Sequence, residues 1–439
     1  MDITNILSQW FLDQLELMPD QVLRQTAGLR TPERIIERIL GEREAAEIRA
    51  LLSRPLCKKD RVPTIFLPGI MGSLLASVRG LSVLLWFNPT VILNGYVNLL
   101  DLDEEGTQDR SPDVEIVPVG IEKVTYLKMI LSLAGATRLY EFPYDWRKRL
   151  EWNAQLLHRA IQRWSLVTPE RRFVLIGHSM GGMLARTYLA LYPKEAEQHI
   201  ERVIMLGSPL HGVPVAVLIF SGQTTPSKIV SKLNPHNDVI SFAANLPASY
   251  QLLPPPPELF KAKRPYPVNW DLYNAREWKL PAVRQDYLNE AKRFHQLIAQ
   301  ADPQVEIVEI AGCHKRTLTD IWLSKESENS PEYTLVYHSS GEESGDDTVP
   351  LWSTQLEGIT TYYIQEKHHF LPSNAQVIEA VLELTQGGVP SLPQKLPAPS
   401  KLIERIRPAS LLQQVKELRQ RIERNELRRE DIDKLFFAR

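Results

Sequence analysis

The sequence predicts an α/β fold in which a mostly parallel β-sheet is covered by helices on both faces. Short apolar runs alternate with helix-patterned segments through the middle of the chain, a pattern typical of parallel strands joined by helices. The chain has 439 residues, of which 43% are hydrophobic and 24% charged, so it can bury a large core. No segment repeats at a fixed period, which argues against a solenoid.

Residues 1–58 are predicted to form a helical N-terminal extension. Thr31-Pro32 supplies an N-cap followed by proline at the first helical position, which is a helix-start signal. Apolar residues then recur at helical spacing, at Ile35, Ile36, Ile39 and Leu40.

Residues 80–100 carry no charge and are long enough to span a bilayer. However, Asn88-Pro89 and Asn94-Gly95 are turn signals inside this stretch. Because a spanning helix needs an unbroken backbone ladder, the sequence favours several short elements here over a transmembrane helix.

The main α/β domain is predicted over residues 59–388. Its strands are expected at residues 63–67, 137–142, 172–177, 202–206, 305–310 and 360–364, and its clearest helices at 151–165, 179–192 and 375–386. Residues 211–280 form a long, proline-rich region between two of these predicted strands. Its apolar run 214–220, PVAVLIF, fits an exposed apolar surface and a buried core strand equally well.

Two further segments follow the main domain. Residues 389–400, VPSLPQKLPAPS, are predicted to form a proline-rich linker. Residues 401–439 are predicted to contain an amphipathic helix whose apolar stripe is Leu411, Val415, Leu418 and Ile422. Packing of this stripe against the same chain is favoured; self-association or binding of a protein partner is the alternative.

Composition excludes several classes of function. The formal net charge of −2 gives no sign of a basic face for nucleic acid. The two cysteines, Cys57 and Cys313, are too few for a disulfide framework and lack metal-ligand spacing, although a single bridge stays open. The first twenty residues do not have the pattern of a signal peptide, so a cytoplasmic location is expected, with peripheral membrane contact as an option.

The segment Gly177-His178-Ser179-Met180-Gly181 is a G-x-S-x-G motif between a predicted strand and a predicted helix. This context is typical of a nucleophilic serine in a strained turn, where flanking glycines allow the close approach of neighbouring backbone. The alternative is that Ser179 only caps the helix.

Candidates for a base and an acid follow the serine in the order that such hydrolases use. The acidic loop GDDTVP contains Asp346 and Asp347, and KHHFLP, after the last strand, contains His368 and His369. An imidazole would take the proton from the serine, and a carboxylate would orient that imidazole and stabilise its cationic form.

A developing oxyanion also needs hydrogen-bond donors. The loop LPGIMGS, residues 67–73, directly follows an early strand. We expect the backbone N–H groups of Ile70 and Met180 to form the oxyanion hole, although an ordinary strand-to-helix turn is the alternative.

Together, five motifs over about residues 62–386 resemble the lecithin:cholesterol acyltransferase family: LPGIMGS, PYDWR (143–147), GHSMGG, LGSPLHG and GDDTVP. The resemblance implies an α/β-hydrolase fold with a cap or lid at about residues 211–280, whose apolar run 214–220 is expected to line an acyl tunnel or touch lipid unless it is a buried strand. It also implies a Ser-Asp-His triad that moves an acyl group from a lipid ester to water or an alcohol. Matched by motif, Ser179 is the nucleophile, Asp346 the acid and His368 the base. Asp346 is preferred to Asp347, and His368 to His369, because of their places in the family's motifs.

PYDWR is interpreted as structural, with Asp145 and Arg147 forming a local ion pair beside Trp146. The leading hypothesis is therefore a serine esterase, lipase or O-acyltransferase that acts on a phospholipid or other acyl ester, with no metal or organic cofactor. The alternative is an inactive α/β-hydrolase scaffold that acts as an interaction protein through its helical ends.

Overall fold

The computed structural model describes residues 16, 36–54, 61–79, 83–168, 171–301, 304–324, 331–400 and 410–436. The strands, in chain order, are β1 (Pro63–Leu67), β2 (Ser73–Ser77), β3 (Val83–Trp86), β4 (Ile116–Ile121), β5 (Arg138–Glu141), β6 (Phe173–His178), β7 (Ile200–Leu206), β8 (Glu306–Gly312), β9 (Thr317–Leu323), β10 (Tyr333–His338) and β11 (Thr360–Ile364).

Fifteen α-helices accompany them within the described ranges: α1 (Glu42–Leu52), α2 (Pro89–Leu93), α3 (Lys123–Ala136), α4 (Leu150–Ser165), α5 (Met180–Leu191), α6 (Pro193–His199), α7 (Val215–Phe220), α8 (Thr225–Leu233), α9 (Val239–Ala244), α10 (Pro247–Gln251), α11 (Gln285–Gln300), α12 (Leu351–Thr354), α13 (Ala375–Thr385), α14 (Leu411–Glu423) and α15 (Arg429–Phe436). A 3₁₀ helix at His368–Ser373 follows β11.

The central sheet has six strands in the order β11-β8-β7-β6-β1-β5. All neighbouring pairs are parallel, so the carboxyl ends of the strands share one edge of the sheet. These are the six strands that the sequence predicts, and the predicted α/β fold class is confirmed.

Strand β6 illustrates why this sheet needs helices on both faces. All six of its residues are buried. Phe173 and Leu175 belong to one hydrophobic core with residues of α5 and α11, whereas Val174 and Ile176 belong to a second core with residues of α3 and α13. A strand that is apolar on both faces is stable only between two helical layers.

Two small antiparallel sheets were not predicted: β3-β2-β4 and β10-β9. The first begins directly after the LPGIMGS turn, where Ser73 pairs with Ile121. Both sheets are formed by short strands, and strand formation in such segments depends on pairing that local sequence patterns do not encode.

The uncharged stretch 80–100 is divided as its turn signals predict. Strand β3 and helix α2 are separated at Asn88, whose side-chain oxygen accepts a hydrogen bond from the N–H of Thr90 at 2.9 Å. Among the described residues, none of the helices combines the length and the hydrophobicity required to cross a bilayer.

The region predicted as a cap, 211–280, is largely helical, with α7 to α10 and two short 3₁₀ helices. Within it, the prediction of a core strand at 214–220 is wrong. Val215–Phe220 is a helix in which Ala216, Val217 and Phe220 are buried. A short apolar run does not distinguish a buried strand from a buried helix, and Pro214 at the N-cap suits a helix start.

The terminal segments pack on the main domain. Ile36, Ile39 and Ile48 are buried at the N-terminal end, whereas Thr31, Pro32, Ile35 and Cys57 lie outside the described residues. In α14, Val415, Leu418 and Ile422 are 9%, 1% and 2% exposed, and the helix packs against α8 and α2. The chain's own helices therefore cover this apolar stripe. The linker 389–400 runs along the edge strand, where the N–H of Tyr363 donates to the carbonyl oxygen of Pro393 at 2.9 Å.

Candidate active site

Ser179 lies in a strained turn between β6 and α5. Its φ is 54° and its ψ −123°, a conformation that costs an L-residue about 1–3 kcal/mol. Neighbouring backbone packs tightly around it, because a Cβ at Gly177 would lie 2.5 Å from the nitrogen of Gly182 and a Cβ at Gly181 would lie 2.2 Å from the carbonyl oxygen of Leu67. The Ser179 side chain makes no capping hydrogen bond to α5, which removes the helix-cap alternative.

Asp346 and His368 form a buried pair at the same edge of the sheet. Oδ2 of Asp346 lies 2.7 Å from Nδ1 of His368, and Oδ1 accepts hydrogen bonds from the N–H groups of Thr348 at 3.1 Å and Val349 at 2.6 Å. Because Nδ1 carries the proton that is donated to the carboxylate, Nε2 of His368 is left with a lone pair.

The neighbouring candidates are placed differently. Asp347 has a positive φ of 79°, and its N–H donates to Oγ1 of Thr317 at 2.9 Å. Nε2 of His369 lies 3.4 Å from a carboxylate oxygen of Asp433 in α15. Of the two acidic and two histidine candidates, Asp346 and His368 are therefore the two that the structure brings into direct contact.

The turn at Ser179 and the Asp346–His368 pair meet around the end of β7. The N–H of Ser179 donates to the carbonyl oxygen of Leu206 at 2.9 Å. A Cβ on the next residue, Gly207, would lie 2.9 Å from Oδ2 of Asp346 and 3.1 Å from Nδ1 of His368. The serine, the imidazole and the carboxylate thus converge on one short stretch of backbone.

The surroundings of His368 stabilise its protonated form more than water stabilises that of an ordinary histidine. Burial alone would lower the pKa of His368, but the charge of Asp346, its hydrogen bond and the charge of Asp347 outweigh burial and raise the pKa above its usual value. By contrast, burial, together with the nearby charge of His368, holds the pKa of His178 well below its usual value, so His178 stays neutral. Burial and the charge of Asp346 raise the pKa of Asp347 to about 6.

For an ester hydrolase in which His368 is the general base, this raised pKa predicts the pH dependence of the rate. A general base works only when deprotonated, so the rate is expected to rise with pH, with its midpoint above the ordinary histidine value of about 6.5. The measurement is kcat/KM for a short soluble ester across the pH range. A rising limb centred below that value contradicts the electrostatic account of His368.

The loop 67–73 packs directly against the Ser179 turn. The N–H of Gly69 donates to the hydroxyl oxygen of Tyr126 at 2.9 Å, and this hydroxyl lies 2.8 Å from Nδ1 of His178. Nε2 of His178 in turn lies 3.1 Å from the carbonyl oxygen of His368. Because a carbonyl only accepts, Nε2 carries the proton and Tyr126 donates to Nδ1. Tyr126 and His178 therefore connect the loop to the backbone of His368, a role that the sequence analysis missed.

The PYDWR segment also holds this loop. Tyr144 donates from its hydroxyl to the carbonyl oxygen of Pro68 at 2.9 Å and from its N–H to Oγ of Ser73 at 2.9 Å. Nε1 of Trp146 donates to the carbonyl oxygen of Ser73 at 3.2 Å. The predicted pair of Asp145 and Arg147 forms, with nitrogen–oxygen distances of 2.9 Å and 2.8 Å.

The ion pair of Asp145 and Arg147 gives a stability prediction. The Arg147 side chain is fully buried and also contacts Asp109 at 2.9 Å. Asp145→Asn is expected to lower the free energy of unfolding by about 3 kcal/mol, because it leaves a buried guanidinium without its bidentate partner. Urea unfolding measures the change. As a control, Glu306→Gln breaks the more exposed pair with Arg202, at 2.7 Å, and should cost less than about 1 kcal/mol; equal losses contradict the prediction.

Glu309 is a further buried acid close to this site. Burial raises the pKa of Glu309 well above its usual value, and the charge of Asp346 adds to the effect. Its Oε1 accepts a hydrogen bond from the N–H of Ser208 at 3.1 Å. Across the described ranges, no group of three or more His, Cys, Asp or Glu side chains is arranged to hold a metal ion.

Comparison with known proteins shows which family the chain belongs to. The model of the lecithin:cholesterol acyltransferase family matches residues 86–377, well over half of the chain. "Lecithin-cholesterol acyltransferase-like 4" from Arabidopsis thaliana is 26% identical over 169 residues, which are 33% of this chain and 31% of the relative. The match therefore spans only about a third of that relative's length.

Solved structures give weaker similarities. A chain of the Tle4–Tli4 complex aligns with a TM-score of 0.49 and 13% identity over 75% of this chain and 99% of that chain. The mature lipase BlEst2 of Bacillus licheniformis aligns with a TM-score of 0.35 and 14% identity over 72% of this chain and 89% of the lipase. Both scores lie below 0.5, so the fold is assigned from the parallel sheet, the serine turn and the family match. The chain belongs to the lecithin:cholesterol acyltransferase family and has an α/β-hydrolase fold.

Proposed function

We propose that the protein is a serine-dependent lipid acyl hydrolase or acyltransferase. The main observation behind the proposal is that the strained Ser179 turn and the Asp346–His368 pair converge at one edge of the sheet. Within that pair, Oδ2 of Asp346 lies 2.7 Å from Nδ1 of His368. Membership of the lecithin:cholesterol acyltransferase family supports a lipid ester as the acyl donor.

The first half of the proposed reaction forms an acyl-enzyme. Nε2 of His368 takes the proton from the hydroxyl of Ser179 as Oγ attacks the acyl carbonyl. Asp346 keeps the imidazole in the required tautomer and stabilises the imidazolium. When the tetrahedral intermediate collapses, the ester C–O bond breaks, His368 protonates the leaving alcohol, and the acyl group stays on Ser179.

The oxyanion of the tetrahedral intermediate is assigned to the backbone N–H groups of Ile70 and Met180. A Cβ at Gly69 would lie 3.1 Å from Cβ of Ser179, so Ile70 is next to the turn, and Met180 is the first residue of α5. One such donor is worth about 3 kcal/mol of transition-state stabilisation. The network of Tyr126, Tyr144 and Trp146 supports this role because it fixes the loop that carries Ile70.

The second half of the reaction transfers the acyl group. His368 deprotonates water or an alcohol as its oxygen attacks the acyl carbonyl. When the second tetrahedral intermediate collapses, the bond to Oγ of Ser179 breaks and His368 returns the proton to that oxygen. Whether water or an alcohol reacts depends on how readily each of them enters the site while the acyl group is bound to Ser179. The proposal includes peripheral contact with a lipid surface, because the acyl donor resides there.

One experiment tests the reaction class and the acceptor together. The protein is incubated with labelled phospholipid, with and without a long-chain alcohol, and the products are identified by mass. Free fatty acid in both cases indicates a hydrolase, and a new ester with the alcohol indicates a transferase. Unchanged phospholipid in both cases, with no labelling of Ser179 by a fluorophosphonate, contradicts the proposal and favours an inactive scaffold.

A further inference from the structure

A cavity of about 700 Å³ lies away from the proposed catalytic residues. Its lining includes Glu306 and Ile307 at the start of β8, and Thr360 and Thr361 at the start of β11. These are the amino ends of the strands, whereas Ser179 lies at a carboxyl end. The volume is in the range of roughly 300–1,000 Å³ that is typical of small-molecule sites.

Arg186 lines this cavity and has no acidic partner among the described residues. It lies on α5 seven residues after Ser179, about 10 Å along the helix. Its guanidinium donates to the carbonyl oxygen of Ile298 at 3.5 Å. Burial alone lowers its pKa to about 10, and no acid offsets that effect. The side chain is partly buried, and a guanidinium that is largely shielded from water and lacks a counterion is costly, so this position favours an anion.

Two histidines of the cavity lining accompany Arg186. His295 is 6% exposed, its Nε2 has no hydrogen-bond partner, and its ring lies near the backbone of Leu253. Nε2 of His211 lies 3.0 Å from the carbonyl oxygen of Gln355. Burial lowers the pKa of His295 to about 3, with help from the charges of His211 and Arg186. Burial likewise lowers the pKa of His211 to about 4, with the charge of Arg186 as a further cause, so both imidazoles are neutral.

The other charged side chains that line the cavity do not neutralise the positive charge of Arg186. Lys261 and Lys263 belong to the lining and are exposed. Of the two acids in the lining, Glu306 is bound by Arg202 at 2.7 Å and Glu357 is exposed. Neither contributes to the pKa of Arg186, His211 or His295.

We propose that this cavity binds a phosphate group that carries at least one hydroxyl, as in inorganic phosphate, a phosphate monoester or a phosphate-monoester lipid headgroup. Arg186 supplies the positive charge and the donors that suit phosphate oxygens. Nε2 of neutral His295 is an acceptor when the other ring nitrogen, on the side of the Leu253 backbone, carries the proton. Nε2 of His295 therefore needs an O–H donor on the ligand. A protonated phosphate has such a group, whereas sulfate at neutral pH lacks one.

Calorimetric titration of the full chain at about pH 5.5, below the second pKa of a phosphate monoester at about 6, tests the proposal, with inorganic phosphate, glycerol 3-phosphate and sulfate as probes. We expect saturable binding of phosphate or of the monoester, at least about tenfold tighter than sulfate. Tighter binding of glycerol 3-phosphate than of phosphate identifies a monoester as the ligand. Stronger binding to vesicles that contain phosphatidic acid than to phosphatidylcholine vesicles, lost in Arg186→Gln, identifies a lipid headgroup.

Arg186→Gln is the variant that distinguishes the site from general charge attraction. We expect it to weaken phosphate binding at least tenfold while its melting temperature without phosphate is no lower than that of the wild type, since it removes a partly buried charge that has no acidic partner among the described residues. Arg276→Gln, at an exposed arginine, is the matched control and should bind phosphate as the wild type does. The proposal is overturned if no phosphate probe binds the wild type, if sulfate binds equally well, or if Arg186→Gln binds unchanged. Ser179→Ala should bind phosphate normally, so the outcome is independent of the proposed catalysis.

Discussion

Replacing Ser179 by alanine is expected to lower kcat for ester hydrolysis by about 10⁴–10⁶-fold, because loss of the nucleophile removes the acyl-enzyme route altogether. The fold should stay intact, since the change removes one hydroxyl that makes no capping bond to α5. The measurement is kcat with a short soluble ester, accompanied by the melting temperature. Residual activity within about tenfold of the wild type would exclude Ser179 as the nucleophile.

Ser179→Gly is the companion variant that separates catalysis from backbone strain. At φ 54° and ψ −123°, glycine avoids a steric cost that both serine and alanine bear. We expect Ser179→Gly to be as inactive as Ser179→Ala but more stable than it by about 1 kcal/mol in urea unfolding. A less stable glycine variant contradicts the assignment of strain to this turn.

Asp346→Asn is expected to lower kcat by about 10⁴-fold, the size of effect seen when an amide replaces the triad carboxylate in serine proteases. An amide cannot stabilise the imidazolium that forms on His368, and it permits the wrong imidazole tautomer. The measurement is kcat for the same soluble ester at a pH where the wild type is fully active. A loss below about tenfold would exclude Asp346 as the orienting acid.

Asp347→Asn is the matched control, because it changes the adjacent carboxyl in the same loop. Asp347 does not contact His368 directly, but its charge helps to raise the pKa of His368. We therefore expect kcat to fall less than about tenfold and the rising limb of the pH profile to move to lower pH. If Asp347→Asn were the more damaging of the two variants, the acid assignment would have to be exchanged.

The sequence predicts the features that depend on local pattern. Six apolar runs identify the six strands of the central sheet, and the glycines around Ser179 identify a turn under close contact. Motif register alone selected Asp346 over Asp347 and His368 over His369, and the selected residues are the ones in contact at 2.7 Å. The predicted roles of these residues in catalysis await experiment.

Features that depend on distant residues could not be predicted. Nε1 of Trp146 bonds to Ser73, 73 positions away, and the Tyr126 hydroxyl reaches His178, 52 positions away. Nothing in the local pattern of PYDWR indicates that Tyr144 holds the loop 67–73. The same holds for Arg186, whose missing counterion is visible only when helices and strands from separate parts of the chain are assembled around it.

Trapping the acyl-enzyme shows whether the acyl group passes through Ser179. Turnover of a long-chain p-nitrophenyl ester is quenched with acid before steady state, and the digested protein is mapped by mass spectrometry. We expect one acyl adduct on the peptide that contains Ser179, absent in Ser179→Ala. Rapid turnover without this adduct, or an adduct on another side chain, would contradict passage of the acyl group through Ser179.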